Sequence, residues 1–193
     1  MSEVWSVDFL TSVLAAAIPA GTAILFACLG ELLAERAGVL NLGVEGMMLM
    51  GALGGFAVCY WTGSAWLGAL GALAVGAALA SIHAVLTVSL RANQVVSGLA
   101  LTLFGAGLSS YLGRNLVGQP APDRFSDLAV PMLHEIPGLG RILFNQDALV
   151  YASFVLVPLL WLWVYRTRQG LELRAVGERP EAADAMGGNV ARL

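Results

Sequence analysis

The residues with the clearest capacity for chemistry form a short polar segment between two long apolar stretches. They follow one another at spacings of one or two positions, which suits irregular backbone better than one face of a helix. These residues are Asn41, Gly43, Glu45 and Gly46. Irregular backbone at membrane depth is tolerated where it is buried in protein or lines a cavity, and its free amides and carbonyls can then bind a solute. The segment therefore predicts either a solute path or a solvated interfacial loop.

A second polar pair, Asn93 and Gln94, precedes another apolar stretch. Side-chain amides donate and accept hydrogen bonds, which suits a solute with hydroxyl or amide groups, but such residues also cap helices. His83 lies inside an apolar stretch, where a histidine is more often a satisfied core residue than a proton relay. Both interpretations stay open for these three residues.

The strongest local pattern follows the last apolar stretch. Pro180 suits the first position of a helix, and Glu181 complements the positive N-terminal end. Ala182 and Ala183 extend the helix, and Gly187 ends it. So short a helix is marginal alone in water, so we expect it to be held by packing, with small alanines that let another surface come close.

Membrane-spanning helices must position these residues. Of the 193 residues, 58% are apolar and 12% are charged, and the mean hydropathy is +0.78. The apolar stretches are long enough to cross a hydrocarbon core, which needs roughly 20 helical residues. We predict an all-α, polytopic transmembrane helical bundle whose membrane segments lie near residues 9–29, 46–62, 65–90, 95–112 and 148–165. The dense small residues in these segments favour close helix packing.

The arginines predict the orientation of the chain, because loops rich in basic residues stay in the cytoplasm. Alternating five helices puts seven arginines on one face, at positions 36, 91, 166, 168, 174, 179 and 192, and three on the other, at 114, 124 and 141. We therefore expect the C-terminal end and the loop 166–189 in the cytoplasm, and the N-terminus and the loop 113–147 outside the plasma (inner) membrane.

Several classes of function find no support in the sequence. Cys28 and Cys59 lie in apolar stretches, so we expect buried thiols without a disulfide or a metal. There is no basic stripe for nucleic acid, no His-Glu-x-x-His pattern, and no glycine-rich phosphate loop, and all ten basic residues are arginine. We expect no cofactor and no enzyme activity.

Four segments give the sequence a resemblance to a known family. Glu181-Ala182-Ala183 with Gly187 resembles the EAA loop of ABC importer permeases, which forms a cytoplasmic coupling helix seated in an ATPase subunit. The segments 30–50, 92–98 and 173–178 resemble the nucleoside and simple-sugar branch of these permeases, which is ribose-type and related to the branched-chain permeases.

The resemblance implies a transporter built from several chains. Its partners would be a second permease subunit, a pair of cytoplasmic ATPases, an extracytoplasmic solute-binding protein and the lipid bilayer, and its cargo a small polar solute. The resemblance places the path at Asn41, Gly43, Glu45, Gly46, Asn93 and Gln94, and ATPase coupling at Gly177, Glu178, Glu181, Ala182, Ala183 and Gly187. The residues alone also permit a carrier or channel driven by an ion gradient, with Glu45 or His83 as the coupling group.

The family resemblance also predicts a longer protein. Members of this family continue with further membrane helices beyond the coupling loop, whereas this sequence ends at Leu193. We therefore expect the chain to be the N-terminal part of a permease.

Overall fold

The computed structural model describes residues 7–134, 136 and 138–185. Within these residues, five helical segments are long and apolar enough to cross a membrane. The all-α, polytopic fold predicted from the sequence is confirmed. The helices are α1 (Val7–Arg36), α2 (Val44–Thr62), α3 (Ala65–Ala84), α4 (Gln94–Leu112), α5 (Leu139–Leu143), α6 (Ala148–Arg166), α7 (Arg168–Glu178) and α8 (Pro180–Ala185).

Four short elements complete this list. A π-helical segment, Val85–Ser89, continues α3, and a 3₁₀ turn, Gly113–Asn115, continues α4. The strands β1 (Leu128–Ala129) and β2 (Asn145–Gln146) form a small antiparallel pair. Within the described part of the loop 113–147, therefore, one short helix, α5, and this hairpin are the regular elements beyond the 3₁₀ turn.

The described residues divide into two compact units. The first comprises the chain up to Leu29 and Phe125–Trp163. Its polar contacts centre on Gln146, whose amide donates to Ile142 O at 2.7 Å and to Ala15 O at 3.2 Å. Asp147 Oδ1 accepts hydrogen bonds from the first amides of α6, a cap that explains why that helix begins at Ala148.

The second unit comprises Gly30–Arg124 and Val164–Leu193. Glycines let its helices touch closely. A Cβ on Gly55 would lie 3.0 Å from Ala72 Cβ, and one on Gly68 would lie 2.9 Å from Cys59 Cβ, so α2 and α3 pack through small residues. A Cβ on Gly105 would lie 2.6 Å from Gly46 Cα, so α2 and α4 also meet backbone to backbone. Such contacts are how helices associate in lipid.

Two parts of the chain differ from the sequence expectation. Residues 30–36, which lie beyond the predicted membrane segment 9–29, continue α1 as helix to Arg36, because residues 31–36 are all good helix formers and the last turn carries a favourable arginine. The segment 168–178 forms a separate helix, α7, which the sequence reading did not identify. Thr167 caps α7 by accepting from Gly170 N at 3.1 Å, while Leu173 and Val176 are buried one turn apart.

Candidate functional site

Helix α1 ends at Arg36 because of the conformation of Gly38, two residues later. Gly38 has φ +82°, a left-handed conformation that costs glycine little. Its N–H donates to Glu35 O at 3.0 Å, and Val39 N–H donates to Ala34 O at 2.9 Å. These two bonds form a Schellman motif, which satisfies the last carbonyls of the helix and turns the chain out of it. We call residues 37–43, between α1 and α2, the break.

Asn41 shapes the second half of the break. Its Oδ1 accepts from Gly43 N at 3.0 Å, a local turn that starts α2 at Val44. Its own backbone N–H donates to Glu31 Oε1, one helical turn before the end of α1, at 3.0 Å. The side chain of Asn41 is therefore used mainly to fold the break.

Side chains of α4 bind three further backbone groups of the break. Gln94 Oε1 accepts from Leu40 N at 2.8 Å, and Gln94 Nε2 donates to Gly38 O at 3.4 Å. Thr102 Oγ1 donates to Leu42 O at 2.7 Å. Because no helix or sheet satisfies these groups, side-chain bonds do so instead, and the break is fixed rather than loose.

His83 is 3% exposed and is bonded at both ring nitrogens. Nε2 lies 3.3 Å from Leu40 O, and Nδ1 lies 3.1 Å from Ser97 Oγ. A carbonyl only accepts, so Nε2 carries the proton, and in the neutral ring Nδ1 accepts from the Ser97 hydroxyl. This geometry favours the satisfied core histidine among the interpretations left open by the sequence.

The structure brings some of the predicted path residues together and separates others. Asn41, Gly43 and Gln94 meet at the break. Glu45 and Gly46 are helical instead of irregular, since they lie in the first turn of α2, where Glu45 is exposed and Gly46 is buried against α4. Their predicted irregular backbone is wrong because Gly43 already begins the helix.

Asn93 has the capping role that the sequence left open, whereas Glu31 has a role that the sequence did not assign. Asn93 Oδ1 accepts from Val96 N at 3.1 Å and caps α4, as one of its two interpretations expected. Glu31 was not identified as a site residue, yet it holds Asn41, and its Oε2 is buried with no hydrogen-bond partner among the described residues. A glutamate just after the predicted membrane segment 9–29 is the signal that identifies it.

The predicted coupling residues lie on α7, on α8 and beyond. Gly177 and Glu178 form the end of α7, and Glu181, Ala182 and Ala183 lie in α8, which begins at Pro180 as the sequence predicted. The side chains of Glu181 and Ala182 are exposed. Gly187 lies outside the described residues.

Gly177 contacts the end of α1 directly. A Cβ at this position would overlap Arg36 O and would lie 3.0 Å from Gly38 N. The ring of Tyr165, in the last turn of α6, lies 5.7 Å from the guanidinium carbon of Arg36 and 5.1 Å from that of Arg174. The ends of α1 and α6 and the helix α7 are thus joined by backbone packing and by two cation–π contacts.

In the part of the chain that the structure describes, no three His, Cys, Asp or Glu side chains group together to form a metal site. Cys28 is an exposed free thiol and Cys59 a buried one. The exposed Cys28 differs from the buried thiol that the sequence analysis expected.

Comparisons with known proteins cover nearly all of the chain. A putative glucose ABC transporter permease protein of Haloferax volcanii is 48% identical over 93% of this chain and 56% of its own length. A guanosine ABC transporter permease protein of Bacillus subtilis is 33% identical over 97% of this chain and 62% of its own length. A nucleoside ABC transporter permease protein of Lactococcus lactis is 36% identical over 88% of this chain and 56% of its own length.

The chain thus spans little more than half the length of these curated relatives. No solved structure matches it. The family model described as "Branched-chain amino acid transport system / permease component" matches residues 13–193. Among the described residues, five helices are long and apolar enough to cross a membrane. Together with the family match over residues 13–193, they show that the chain is a multi-pass membrane protein that belongs to this permease family.

Proposed function

We propose that the chain forms part of the permease subunit of an ATP-driven ABC importer for nucleosides or simple sugars. The observation that carries the proposal is the break, a piece of non-helical backbone between two membrane-spanning helices that is fixed by the half-buried Gln94 and Thr102 and the buried His83. Such backbone is costly in a membrane unless it lines or supports a cavity. The named functions of the relatives, which transport glucose, guanosine and nucleosides, support the same cargo class here.

The solute path runs past the break in this proposal. Gln94 and Asn41 fix its backbone, Gly43 and Asn93 start the two following helices, and Glu45 is the exposed charged group beside it. Gly46 lets α2 and α4 approach closely below the break. Nucleosides and sugars carry hydroxyl groups, which exposed carboxylates and amides bind well.

The partners follow from the exposed C-terminal helices. Helix α8 has six residues, too few to be stable alone in water, and its exposed Glu181 and Ala182 are free to meet a cytoplasmic ATPase. Gly177, Glu178, Ala183 and Gly187 complete the coupling region. A second permease subunit and an extracytoplasmic binding protein complete the importer in the plasma (inner) membrane, with the N-terminus outside. Nucleotide chemistry is supplied by the separate ATPase, so the permease itself is no enzyme.

The test of this proposal is to identify the energy source that drives solute uptake. The full-length permease is expressed with the ATPase and the binding protein encoded beside it, and uptake of labelled guanosine and labelled glucose is measured. We expect uptake of one of them to stop when ATP is depleted and to continue when ion gradients are dissipated. Uptake that survives ATP depletion and collapses with an ion gradient would instead establish the carrier, with Glu45 or His83 as the coupling group.

A further inference from the structure

The end of α7 touches the break without any intervening side chain. Both partners are glycines: a Cβ on Gly38 would lie 3.1 Å from Gly177 Cα, and a Cβ on Gly177 would overlap Arg36 O. Backbone packed on backbone leaves no flexible side chain to absorb a displacement. A shift of α7 along this contact therefore has to move Gly38 or be resisted by it.

A second contact clamps the same place. Tyr165 lies between Arg36, the last residue of α1, and Arg174, in the middle of α7, with both guanidinium groups over its ring. Arg174 Nε also donates to Gly170 O at 3.3 Å, which holds its side chain along α7. The clamp keeps α7 pressed against the end of α1.

Gly38 is also bonded to the residues that fix the break. Gly38 O accepts from Gln94 Nε2, and Gln94 Oε1 accepts from Leu40 N. Leu40 O faces His83 Nε2. A continuous series of contacts thus runs from α7 through Gly38 to the residues that fix the break.

We propose that the contact between Gly38 and Gly177, clamped by Tyr165, is the mechanical joint through which movement of the ATPase-facing helices reaches the break. This inference rests on the proposed function and names the positioning residues that serve it: Gly38, Gly177 and Tyr165. None of them touches solute or nucleotide. Each acts by keeping α7 in a fixed position relative to the break.

The first test is Gly177→Ala in the assembled transporter. The added methyl group displaces α7 from the end of α1, so uptake falls about tenfold, in the usual range of coupling between distant sites, while ATPase pull-down and ATP hydrolysis persist. Gly107→Ala is the matched control, because a Cβ there has nothing within 4 Å. Uptake by Gly177→Ala equal to that by the control overturns the joint.

A second measurement keeps the inference testable if Gly177→Ala folds poorly. Tyr165→Leu removes the clamp, whereas Tyr165→Phe keeps the ring face for both arginines. We expect faster backbone hydrogen exchange in residues 38–43 for Tyr165→Leu and rescue by Tyr165→Phe. Equal exchange in both variants and in the wild type overturns the joint, even when uptake is ATP-driven. Wild-type uptake that does not need ATP overturns the proposed function itself.

Discussion

Single side chains, contributed by residues distant in sequence, decide the shape of the break. Gln94 binds Leu40 across 54 residues of sequence, and His83 binds the same residue across 43. The sequence identified Asn41 and Gln94 as polar residues in apolar surroundings, which is a property of composition. It did not reveal that they bond to backbone, because the partner of an amide depends on how the helices pack.

Replacing Gln94 tests the support of the break. Gln94→Met keeps the length of the side chain but leaves Leu40 N without its protein acceptor, so we expect the free energy of unfolding to fall by about 0.5–1.5 kcal/mol and uptake to fall with it. Thermal unfolding of the detergent-solubilised permease measures the first effect. Gln119→Met, at an exposed position, is the control and should change stability by about 0.5 kcal/mol at most. Equal stability of the two variants would show that Gln94 does not hold the break.

At the scale of secondary structure, hydropathy predicts the helices that have lipid as their solvent. Each spanning helix agrees with an apolar stretch, because a chain in lipid must satisfy its backbone within the helix. The differences lie outside that rule. The piece 30–36 is polar yet helical, and α7 is only partly apolar, so neither is visible in hydropathy. A capping threonine followed by Leu173 and Val176 at helical spacing was the available signal for α7.

The crossing of α2 and α4 gives a prediction at this scale. Gly105→Ala puts a methyl group 2.6 Å from Gly46 Cα, and backbone cannot yield as a side chain does, so we expect a loss of about 1–3 kcal/mol of stability. Gly107→Ala, two residues further along the same helix, meets no atom within 4 Å and should be neutral or stabilising by up to about 1 kcal/mol. Thermal unfolding of both variants compares them, and an unchanged Gly105→Ala protein would refute the close crossing.

At the scale of the whole molecule, the proposed importer links the break to the short helix α8, which would contact a separate ATPase. Composition and motif order led to the membrane permease, and the comparisons with relatives support that family over residues 13–193. The distribution of arginines predicts the orientation of the chain, with α8 in the cytoplasm. The position of α8 relative to the membrane is therefore the claim on which ATPase coupling depends.

Cysteine labelling of α8 tests that claim most directly. Cys28 and Cys59 are replaced by alanine, and Glu181→Cys, at an exposed position, supplies a single thiol, with Arg124→Cys as the control in the loop expected outside. A maleimide that cannot cross membranes should label Arg124→Cys in intact cells and Glu181→Cys only after the membrane is opened. Labelling of Glu181→Cys in intact cells would contradict the coupling of this permease to a cytoplasmic ATPase.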